Sequence, residues 1–463
     1  MSRYLILFAT VLSLCCLSQL SAATSDEKSA DKITPDSSYV IVVNQSTAED
    51  AQWQKVVSAL KAKHNASVIT YKESIDETLA ILKVQYPRYT CFVAQPDEVT
   101  VDFVAQVHQL TRKLDDDPYI DTFAGILTGY DAANALTIAK ESKPLVIKKV
   151  ASGTDFATSM VEEGLWYDEL EKNKFVKKEL GGKAVQSEGP DDTTQALVDS
   201  LNNYQPDLFI TSGHATQSNW QIGFRYKNGY FVSKAGQMYG LDSNRKQIEI
   251  DSPSPKVYLP IGNCLMGDIN SKDCMALAWM NDVGVRQMIG YMQPTWYGYM
   301  GWGVLDYFVE QPGRYTLNEA FVANNHALIH RLNDSSISAA DKRGLSFDKD
   351  MVAFYGDPKW SAKMANRPKY YGQRLEVKGD LYTLSISLNK GADSFQPVNT
   401  NGSQRGGRPL IQFLPKRIKD VKIVAGGDLN PVITDDFILI PNPQTADPDR
   451  KYVVQFTAKT LLP

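Results

Sequence analysis

The sequence predicts an α/β protein in which helices flank a mostly parallel sheet, followed by a small C-terminal β-sandwich. Strand-like runs alternate with helical segments from residue 39 to about residue 368, and only strand-like runs follow from about residue 370. With 43% hydrophobic and 22% charged residues among 463, the composition is that of an ordinary globular chain. The net charge of −4 excludes nucleic-acid binding by bulk positive charge, so we expect no nucleic-acid partner.

The N-terminal residues 1–23 have the features of a secretory signal peptide. One arginine precedes an apolar run from residue 4 to residue 17, and small residues end the segment at Ala23. The run is too short for a membrane-spanning helix, and no comparable run follows. We therefore expect a secreted, periplasmic or extracellular protein without a membrane span. The polar residues 24–37 predict a flexible leader.

Two alternating blocks precede the sandwich. In the first, residues 38–143, three strand–helix units begin at the runs YVIVVN, SVITY and TCFVA and predict an N-terminal α/β subdomain. In the second, residues 144–368, the clearest strands are PLVIKKVAS, PDLFITSG, KVYLPIGN and VRQMIGYM. Residues 369–463 contain runs such as LYTLSISL and YVVQFTA between turn signals, which predicts the sandwich.

Metal-ligand patterns are weak in this chain. His326 and His330 are four residues apart, which would place both on one helix face, but no cysteine or carboxylate cluster with ligand spacing stands near them. We therefore expect no metal site at these histidines and no cofactor for the chemistry. The carboxylate-rich loop LDDDPYID makes a structural calcium conceivable, although such loops are more often only solvated.

His214 and Cys264 each follow an apolar strand, in a turn of small residues. The strand DLFI ends in TSGHATQS, and the strand VYLPI ends in GNCLMGD. Because carboxyl ends of neighbouring parallel strands share one crevice, the two side chains can converge although they are about 50 residues apart. An imidazole can take a thiol proton, and the thiolate can attack a carbonyl carbon. Backbone N–H groups of Ala215 and Cys264 could stabilise the oxyanion. The alternative is that two glycine-rich turns contain these residues by coincidence.

The layout of the two turns resembles that of caspases, legumains, clostripain and the gingipains. The motif CLMGD is similar to the Cys-x-x-Gly-Asp pattern of the gingipains, a family of secreted bacterial cysteine peptidases, and ITSGHATQSNW resembles the histidine segment of that family. The later motif FYGDPKW resembles the Gly-Asp-Pro motif that closes the gingipain catalytic domain. This resemblance implies a caspase-like α/β region in two subdomains, the second of them catalytic, an immunoglobulin-like C-terminal module, and a protein or peptide substrate.

The resemblance also implies roles for individual residues. It makes His214 the general base and Cys264 the nucleophile of an acyl transfer to water. The acidic residue that orients the base in this family follows the first strand of the second subdomain, where Asp155 is the candidate. The acidic residue of the family's specificity pocket falls roughly at Glu162 or Glu163.

An aromatic segment, YMQPTWYGYMGWG at residues 291–303, follows the strand after Cys264. It could wall the substrate cleft, with Trp296 as a candidate contact, because apolar aromatic surface holds an extended peptide well. Its glycines would allow it to move as a flap. The alternative is a packed aromatic loop without a role in binding.

The function predicted from these features is that of a secreted cysteine endopeptidase that works through an acyl-enzyme. Two alternatives stay open. Ala215 and Asn263 stand where the family usually has Gly and Ala, so the chain could be an inactive homologue that acts as a binding protein. The same His–Cys pair could also transfer the acyl group to an amine, as a transpeptidase or ligase. After signal removal three cysteines remain, Cys91, Cys264 and Cys274, so at least one thiol stays unpaired or pairs between chains.

Overall fold

The computed structural model describes residues 36 and 38–461 of the chain. The predicted signal peptide and most of the predicted leader lie outside the described residues. The first part of the chain alternates strands and helices, as its sequence predicts. Its elements are β1 (Tyr39–Asn44), α1 (Gln45–Glu49), α2 (Trp53–His64), β2 (Ser67–Tyr71), α3 (Leu79–Gln85), β3 (Tyr89–Val93), α4 (Val101–Thr111), β4 (Phe123–Leu127) and α5 (Ala132–Lys140).

The middle part of the chain adds both parallel strands and antiparallel hairpins. Its strands are β5 (Leu145–Ile147), β6 (Lys149–Ser152), β7 (Glu163–Tyr167), β8 (Lys174–Lys178), β9 (Ala184–Glu188), β10 (Leu208–Thr211), β11 (Asn219–Gln221), β12 (Tyr230–Lys234), β13 (Gln237–Leu241), β14 (Gln247–Glu249), β15 (Lys256–Pro260), β16 (Val285–Tyr291), β17 (Val352–Tyr355) and β18 (Ala362–Met364). Its helices are α6 (Thr194–Asp199), which continues as a π-helical turn over Ser200–Tyr204, α7 (Met275–Asn281), α8 (Tyr299–Phe308), α9 (Leu317–Leu332) and α10 (Ala339–Asp348).

The last part of the chain consists of strands with short turns. They are β19 (Tyr371–Lys378), β20 (Leu381–Leu388), β21 (Leu410–Phe413), β22 (Ile418–Ala425), β23 (Val432–Ile433), β24 (Phe437–Ile440) and β25 (Tyr452–Thr460). Short 3₁₀ turns complete the regular elements at Ile75–Thr78, Pro96–Glu98, Thr158–Met160, Gly391–Phe395 and Gly427–Leu429.

A single twelve-stranded sheet runs through the first two parts in the order β2-β1-β3-β4-β17-β16-β15-β10-β6-β7-β8-β9. Eight of its neighbouring pairs are parallel, and the antiparallel pairs are β16–β17, β7–β8 and β8–β9. Strand β17 is parallel to β4 and antiparallel to β16, so it joins the strands of the first part to those of the middle part. The described residues form one compact unit, and the predicted boundaries near residues 143 and 368 stay predictions.

Apolar residues cover both faces of the central strands, which explains their nearly continuous apolar sequences. In β10, Phe209 packs into a core cluster with residues of α2, α5 and α7, while Leu208 and Ile210 pack into a second cluster with residues of α8, α9 and α10. Every residue of β10 and β15 is buried. Helices therefore flank the sheet on both faces, as the sequence predicts.

The C-terminal strands form a sandwich of two antiparallel sheets. The sheet β19-β20-β25-β22 and the sheet β21-β24-β23 share a core of residues such as Leu384, Ile438 and Phe456. Alternate residues of the smaller sheet, including Ile411 and Phe437, face away from that core and pack into the second cluster of the α/β part. The smaller sheet is thus buried on both faces.

Candidate active site

Five neighbouring parallel strands end at one edge of the large sheet. In spatial order they are β16, β15, β10, β6 and β7, and we call the edge at their carboxyl ends the site edge. The chain runs outward from β6 to β9 and then returns to β10 on the other side of β6. Such a reversal of strand order opens a crevice at the carboxyl ends of the strands, where open α/β sheets bind their ligands.

The turn after β10 carries His214. Gly213, with φ of 89°, reverses the chain just before it. The indole Nε1 of the fully buried Trp220 donates to the carbonyl of Ser212 at 2.7 Å, and the amide of Gln221 donates to the carbonyl of His214 at 2.9 Å. The imidazole itself is exposed at the surface of this fixed turn, which leaves its nitrogens accessible to a substrate.

The turn after β15 carries Cys264, whose side chain is partly exposed. The next residue, Leu265, has φ of 58°, a left-handed conformation that is costly for a branched side chain and is found where surrounding structure imposes it. The amide of Leu265 lies 3.4 Å from the carbonyl of Gln293, and the amide of Gly267 donates to the backbone carbonyl of Tyr291 at 2.9 Å. The Cys264 Sγ lies 3.7 Å from the carbonyl oxygen of Thr295.

Side chains join the two turns directly. The Asn263 Nδ2 donates to the carbonyl of Gly213 at 3.0 Å, and its Oδ1 accepts from the Thr211 hydroxyl at 2.6 Å. A second link joins Gln217 Nε2 to Asp268 Oδ2 at 3.0 Å. Asn263 stands where the resemblance expects alanine, and its amide group ties the histidine turn to the cysteine turn.

Two backbone amides beside these side chains are free to bind an anion. Among residues 36 and 38–461, the N–H groups of Ala215 and Cys264 donate to no acceptor. Ala215 forms an isolated antiparallel bridge with Trp220. The two hydrogen bonds of this bridge run from the Thr216 amide to the Asn219 carbonyl and from the Gln221 amide to the His214 carbonyl, so the amide of Ala215 takes part in neither. These are the two donors that the sequence predicts for an oxyanion.

Glu169 is a residue of the site edge that the sequence analysis missed. Its carboxylate, at the end of β7, accepts from the Ser212 hydroxyl at 2.5 Å and from the Thr154 hydroxyl at 2.8 Å. Burial raises its pKa, and the two hydroxyl groups oppose that rise. Glu169 therefore links the ends of β6, β7 and β10 at Ser212, two residues before His214. The rule that selected His214 and Cys264, polar residues directly after an apolar strand, also selects Glu169 after the run GLWYD.

The three acidic residues predicted from the sequence do not contact His214. Glu163 begins β7 and pairs with Lys149 at the start of β6, so Glu162 and Glu163 lie at the opposite end of these strands from His214 and Cys264. Asp155 follows β6 at the site edge, but its side chain is hydrogen-bonded to Asn399 of the C-terminal part. Burial raises the pKa of Asp155, and the bond to Asn399 opposes the rise. The structure brings none of the three into contact with His214.

Trp296 lies close to Cys264 along the site edge. It follows Thr295, whose carbonyl contacts the Cys264 thiol, and the residue is 55% exposed. The ring contacts Tyr297 and Phe347, each with 5.8 Å between ring centroids. The rest of the aromatic segment is packed, because Tyr297 and Trp302 are buried. The exposed face of Trp296 is thus available to a ligand, while its neighbours are part of the core.

The three cysteines of the described chain are free thiols in different environments. Cys91 in β3 and Cys274 before α7 are buried, and burial raises the pKa of Cys274 to about 11 and that of Cys91 further still. Only Cys264 of these three reaches the surface. A thiol reagent should therefore reach Cys264 first.

An acidic cluster lies in the loop between α4 and β4. One side-chain oxygen of each of Asp115, Asp117 and Asp121 lies within 4.8 Å of the others. Burial raises the pKa of Asp117 to about 7 and that of Asp121 to about 9, and neighbouring carboxylates add to both rises. Oxygen ligands at this spacing fit Ca²⁺, although backbone amides of the loop already bind some of these oxygens. A structural calcium here stays a prediction.

His326 and His330, the pair weighed as metal ligands, occupy different settings on α9. His326 is fully buried, and its ring stacks on Phe437 at 4.2 Å between centroids. Burial lowers its pKa to about 3, so the imidazole is neutral. His330 is half-buried one turn further along.

Among the helices that the structure describes, none combines the length and the apolar character needed to cross a bilayer.

Comparison with known proteins gives one distant structural likeness. The sequence matches no protein-family model and no curated protein. A solved structure, the complex of Porphyromonas gingivalis RgpB pro- and mature domains, is similar with a TM-score of 0.46 and 10% identity, over 88% of this chain and 94% of that chain. A likeness of this degree does not show a family. The class defined by the fold and the site edge is that of a mixed α/β protein with a histidine and a cysteine at adjacent strand ends.

Proposed function

We propose that the protein is a cysteine endopeptidase that hydrolyses peptide bonds through an acyl-enzyme formed on Cys264. The observation that carries this proposal is the joining of the His214 and Cys264 turns. They follow adjacent parallel strands, β10 and β15, and the Asn263 side chain bonds one turn to the other. Exposed imidazole, accessible thiol and two unused amides at one edge form the set of groups that acyl transfer needs.

The chemistry assigns one step to each group. His214 takes the thiol proton of Cys264, and the thiolate attacks the carbonyl carbon of the scissile bond. The amides of Ala215 and Cys264 stabilise the oxyanion that forms. As the C–N bond breaks, His214 gives its proton to the departing amine and leaves a thioester. Water, deprotonated by His214, then attacks the thioester and releases the acid product and the thiol.

Two further groups support this arrangement. Glu169 accepts from the hydroxyl of Ser212, two residues before His214, so it acts as a positioning residue for the histidine turn. Trp296 offers an exposed aromatic face to an extended peptide on the Cys264 side. The segment weighed as a signal peptide supports a secreted protein, and this location belongs to the proposal.

The test compares the mature protein with its Cys264→Ala and Cys274→Ala variants on a mixed peptide pool analysed by mass spectrometry. We expect Cys264→Ala to lose cleavage by at least 10³-fold, as removal of a catalytic nucleophile does. Cys274→Ala is the matched control, because it removes a fully buried thiol that a substrate cannot reach, and it should retain cleavage. Equal cleavage by the wild type and Cys264→Ala would refute the proposal.

The same experiment separates the alternatives. With an added amine, a transpeptidase would give products carrying that amine, whereas a hydrolase gives free carboxyl ends. An inactive homologue would give no product with either acceptor. In that case Cys264 should also react with iodoacetamide no faster than an ordinary exposed thiol.

A further inference from the structure

A loop of the C-terminal part reaches the site edge. We call residues 398–405 the clamp loop; it lies between the 3₁₀ turn Gly391–Phe395 and β21. Arg405 fixes this loop to α8 and to Glu310, which lies two residues beyond the end of that helix. Its guanidinium binds Asp306 of α8 at 2.7 Å and Glu310 at 2.5 Å. The amides of Val398 and Asn399 also donate to Glu310, at 2.8 and 3.1 Å. All three charged side chains are buried, so the attachment is shielded from water and salt.

One chain of hydrogen bonds runs from the clamp loop to the histidine turn. The Asn401 Nδ2 donates to the Thr154 hydroxyl at 3.3 Å, and that hydroxyl donates to Glu169 at 2.8 Å. Glu169 in turn accepts from Ser212, two residues before His214. Each bond restricts the next group, so Asn401 limits where the Thr154 hydroxyl and the Glu169 carboxylate can lie.

A second path runs through Trp302 to the cysteine turn. The backbone of Gly402, with φ of 101°, lies against the indole so closely that a Cβ there would come within 2.3 Å of the ring. Across the same side chain, a Cβ at Gly262 would lie 3.1 Å from the indole Nε1. Gly262 is two residues before Cys264. The Trp302 ring therefore transmits the position of the clamp loop to the backbone that carries the thiol.

We propose that the clamp loop is a positioning element of the active site, which holds the His214 turn through Asn401 and the Cys264 turn through Gly402 and Trp302. The inference rests on the proposed function, because positioning has meaning only for a working His–Cys pair. It makes the C-terminal sandwich a part of the catalytic apparatus. Neither Asn401 nor Gly402 contacts the reacting atoms.

The first test compares Gly402→Ala with Gly407→Ala in the full chain. Both glycines have positive φ, 101° and 65°, so both substitutions strain the backbone. Only the Cβ at residue 402 collides with Trp302; the Cβ at residue 407 meets the flexible end of Gln444 at 3.2 Å. We expect Gly402→Ala to slow the alkylation of Cys264 by iodoacetamide at neutral pH by about tenfold and to change its pH profile, while Gly407→Ala stays within twofold of the wild type.

The second test uses Thr154, in case Gly402→Ala fails to fold. Thr154→Val removes the hydroxyl that joins Asn401 to Glu169, whereas Thr154→Ser keeps it. We expect kcat for peptide cleavage to fall about tenfold in Thr154→Val with KM unchanged, and to be restored to within about threefold in Thr154→Ser. Asn401→Ala should match Thr154→Val in direction, because it breaks the same chain of bonds one step earlier.

The outcomes separate the two proposals. If the wild type cleaves peptides but Gly402→Ala matches Gly407→Ala and Thr154→Val matches Thr154→Ser, the clamp-loop inference is refuted and the peptidase proposal stands. If the wild type neither cleaves peptides nor shows accelerated alkylation of Cys264, the proposed function fails, and the inference fails with it. Thermal unfolding midpoints of each matched pair show whether a loss of rate reflects a loss of fold.

Discussion

Glu169 shows how a buried charge can serve a surface site. Its side chain is almost fully buried, and an isolated carboxylate in such a position would be strongly disfavoured. Two hydroxyl donors, from Ser212 and Thr154, compensate part of that cost, since a hydrogen bond to a charged group contributes about 1.5–3 kcal/mol. The balance leaves the pKa of Glu169 above its ordinary 4.5, with burial as the main cause.

We predict that Glu169→Gln lowers kcat/KM by roughly 10- to 100-fold. The carboxamide has only one acceptor oxygen where the carboxylate has two, so it holds the Ser212 turn less firmly. The ionised form of Glu169 is populated only above its raised pKa, so wild-type activity should rise through that pKa as pH increases. This acid limb should be absent from the variant. Peptidase rates measured from pH 4 to pH 9 test both statements.

The matched variant is Glu163→Gln, at the opposite end of β7. From the strand register we expect its pH profile and KM to remain those of the wild type. A rise in KM for Glu163→Gln, with no effect of Glu169→Gln, would contradict the assignment of Glu169 and favour the sequence-based one.

At the scale of elements, the start of β15 depends on a buried lysine. The Lys256 ammonium donates to the carbonyl oxygens of Ser252, Ser254 and Val283 at 2.5, 2.6 and 2.5 Å, and its side chain is fully buried. Burial lowers its pKa to about 7, and nearby Arg286 adds to this effect. Lys256 thereby joins the loop before β15 to the end of the segment between α7 and β16. Cys264 lies at the other end of the same strand.

We predict that Lys256→Met lowers the free energy of unfolding by about 2–4 kcal/mol, because three carbonyl groups lose their donor. The folded pKa of about 7 lies below the ordinary 10.5, so the wild type should gain stability as pH rises between these values, and the variant should lack this gain. Urea unfolding at pH 7 and pH 10 measures both effects. Lys422→Met, on the exposed β22, is the control and should change stability by less than about 0.5 kcal/mol. A loss in Lys256→Met no larger than in this control would contradict the role of the ammonium.

Sequence patterns predict the buried elements better than the exposed ones. The runs that predict β1 and β20 coincide with the observed strands, because their apolar residues face a core. The hairpins β8–β9 and β12–β14 were not predicted. All five residues of β9 are exposed, so no hydrophobic period marks it. The run PLVIKKVAS, predicted as one strand, is two strands of different sheets, β5 and β6, because β5 pairs with β18 instead of joining the large sheet.

The residues of the candidate site also differ in how far the sequence alone predicts them. Strand ends in the sequence were sufficient to place His214 and Cys264 at one edge of the sheet. Glu169 also follows a strand end in the sequence, but its place beside the histidine turn required the order of the strands, since β7 neighbours β6 only in the folded sheet. The positioning role proposed for the clamp loop, residues 398–405, could be inferred only from the tertiary structure, because about 140 residues separate Cys264 from Gly402 along the chain. Asp155, Glu162 and Glu163 were inferred from the family resemblance, which fixes neither the end of β7 at which the two glutamates lie nor the bond of Asp155 to Asn399.

At the scale of the whole molecule, Asp357 anchors the junction between the first and middle parts. It lies in the Gly-Asp-Pro motif directly after β17. Its buried carboxylate contacts Lys63 Nζ at 2.8 Å, His64 Nε2 at 2.7 Å and the Tyr39 hydroxyl at 2.8 Å, all from β1 and α2. The pKa of Asp357 falls to about 2 although burial alone would raise it, because the bond from His64 and the charge of Lys63 favour the carboxylate.

We predict that Asp357→Asn lowers the free energy of unfolding by about 3–5 kcal/mol at pH 7, since it leaves the Lys63 ammonium without its buried partner. Folding lowers the pKa of Asp357 from 3.8 to about 2, so the ionised carboxylate of the wild type stabilises the fold above pH 4. Roughly 2 kcal/mol of this stability is lost as the pH falls from 3.8 to about 2. Denaturant unfolding between pH 2 and pH 7 should show this loss in the wild type only. Asp420→Asn, which removes an exposed partner of Lys459, is the control, and an equal response from both variants would contradict the prediction.

The place of β17 has a consequence for how the chain matures during synthesis. Its residues 352–355 occupy the middle of the twelve-stranded sheet, yet they leave the ribosome after every other strand of that sheet. Until then β4 and β16 each expose an unpaired edge, which is a hazard for association between nascent chains. A truncation that ends before residue 352 should therefore aggregate, and rapid capture of residues 352–355 completes the protection of both edges.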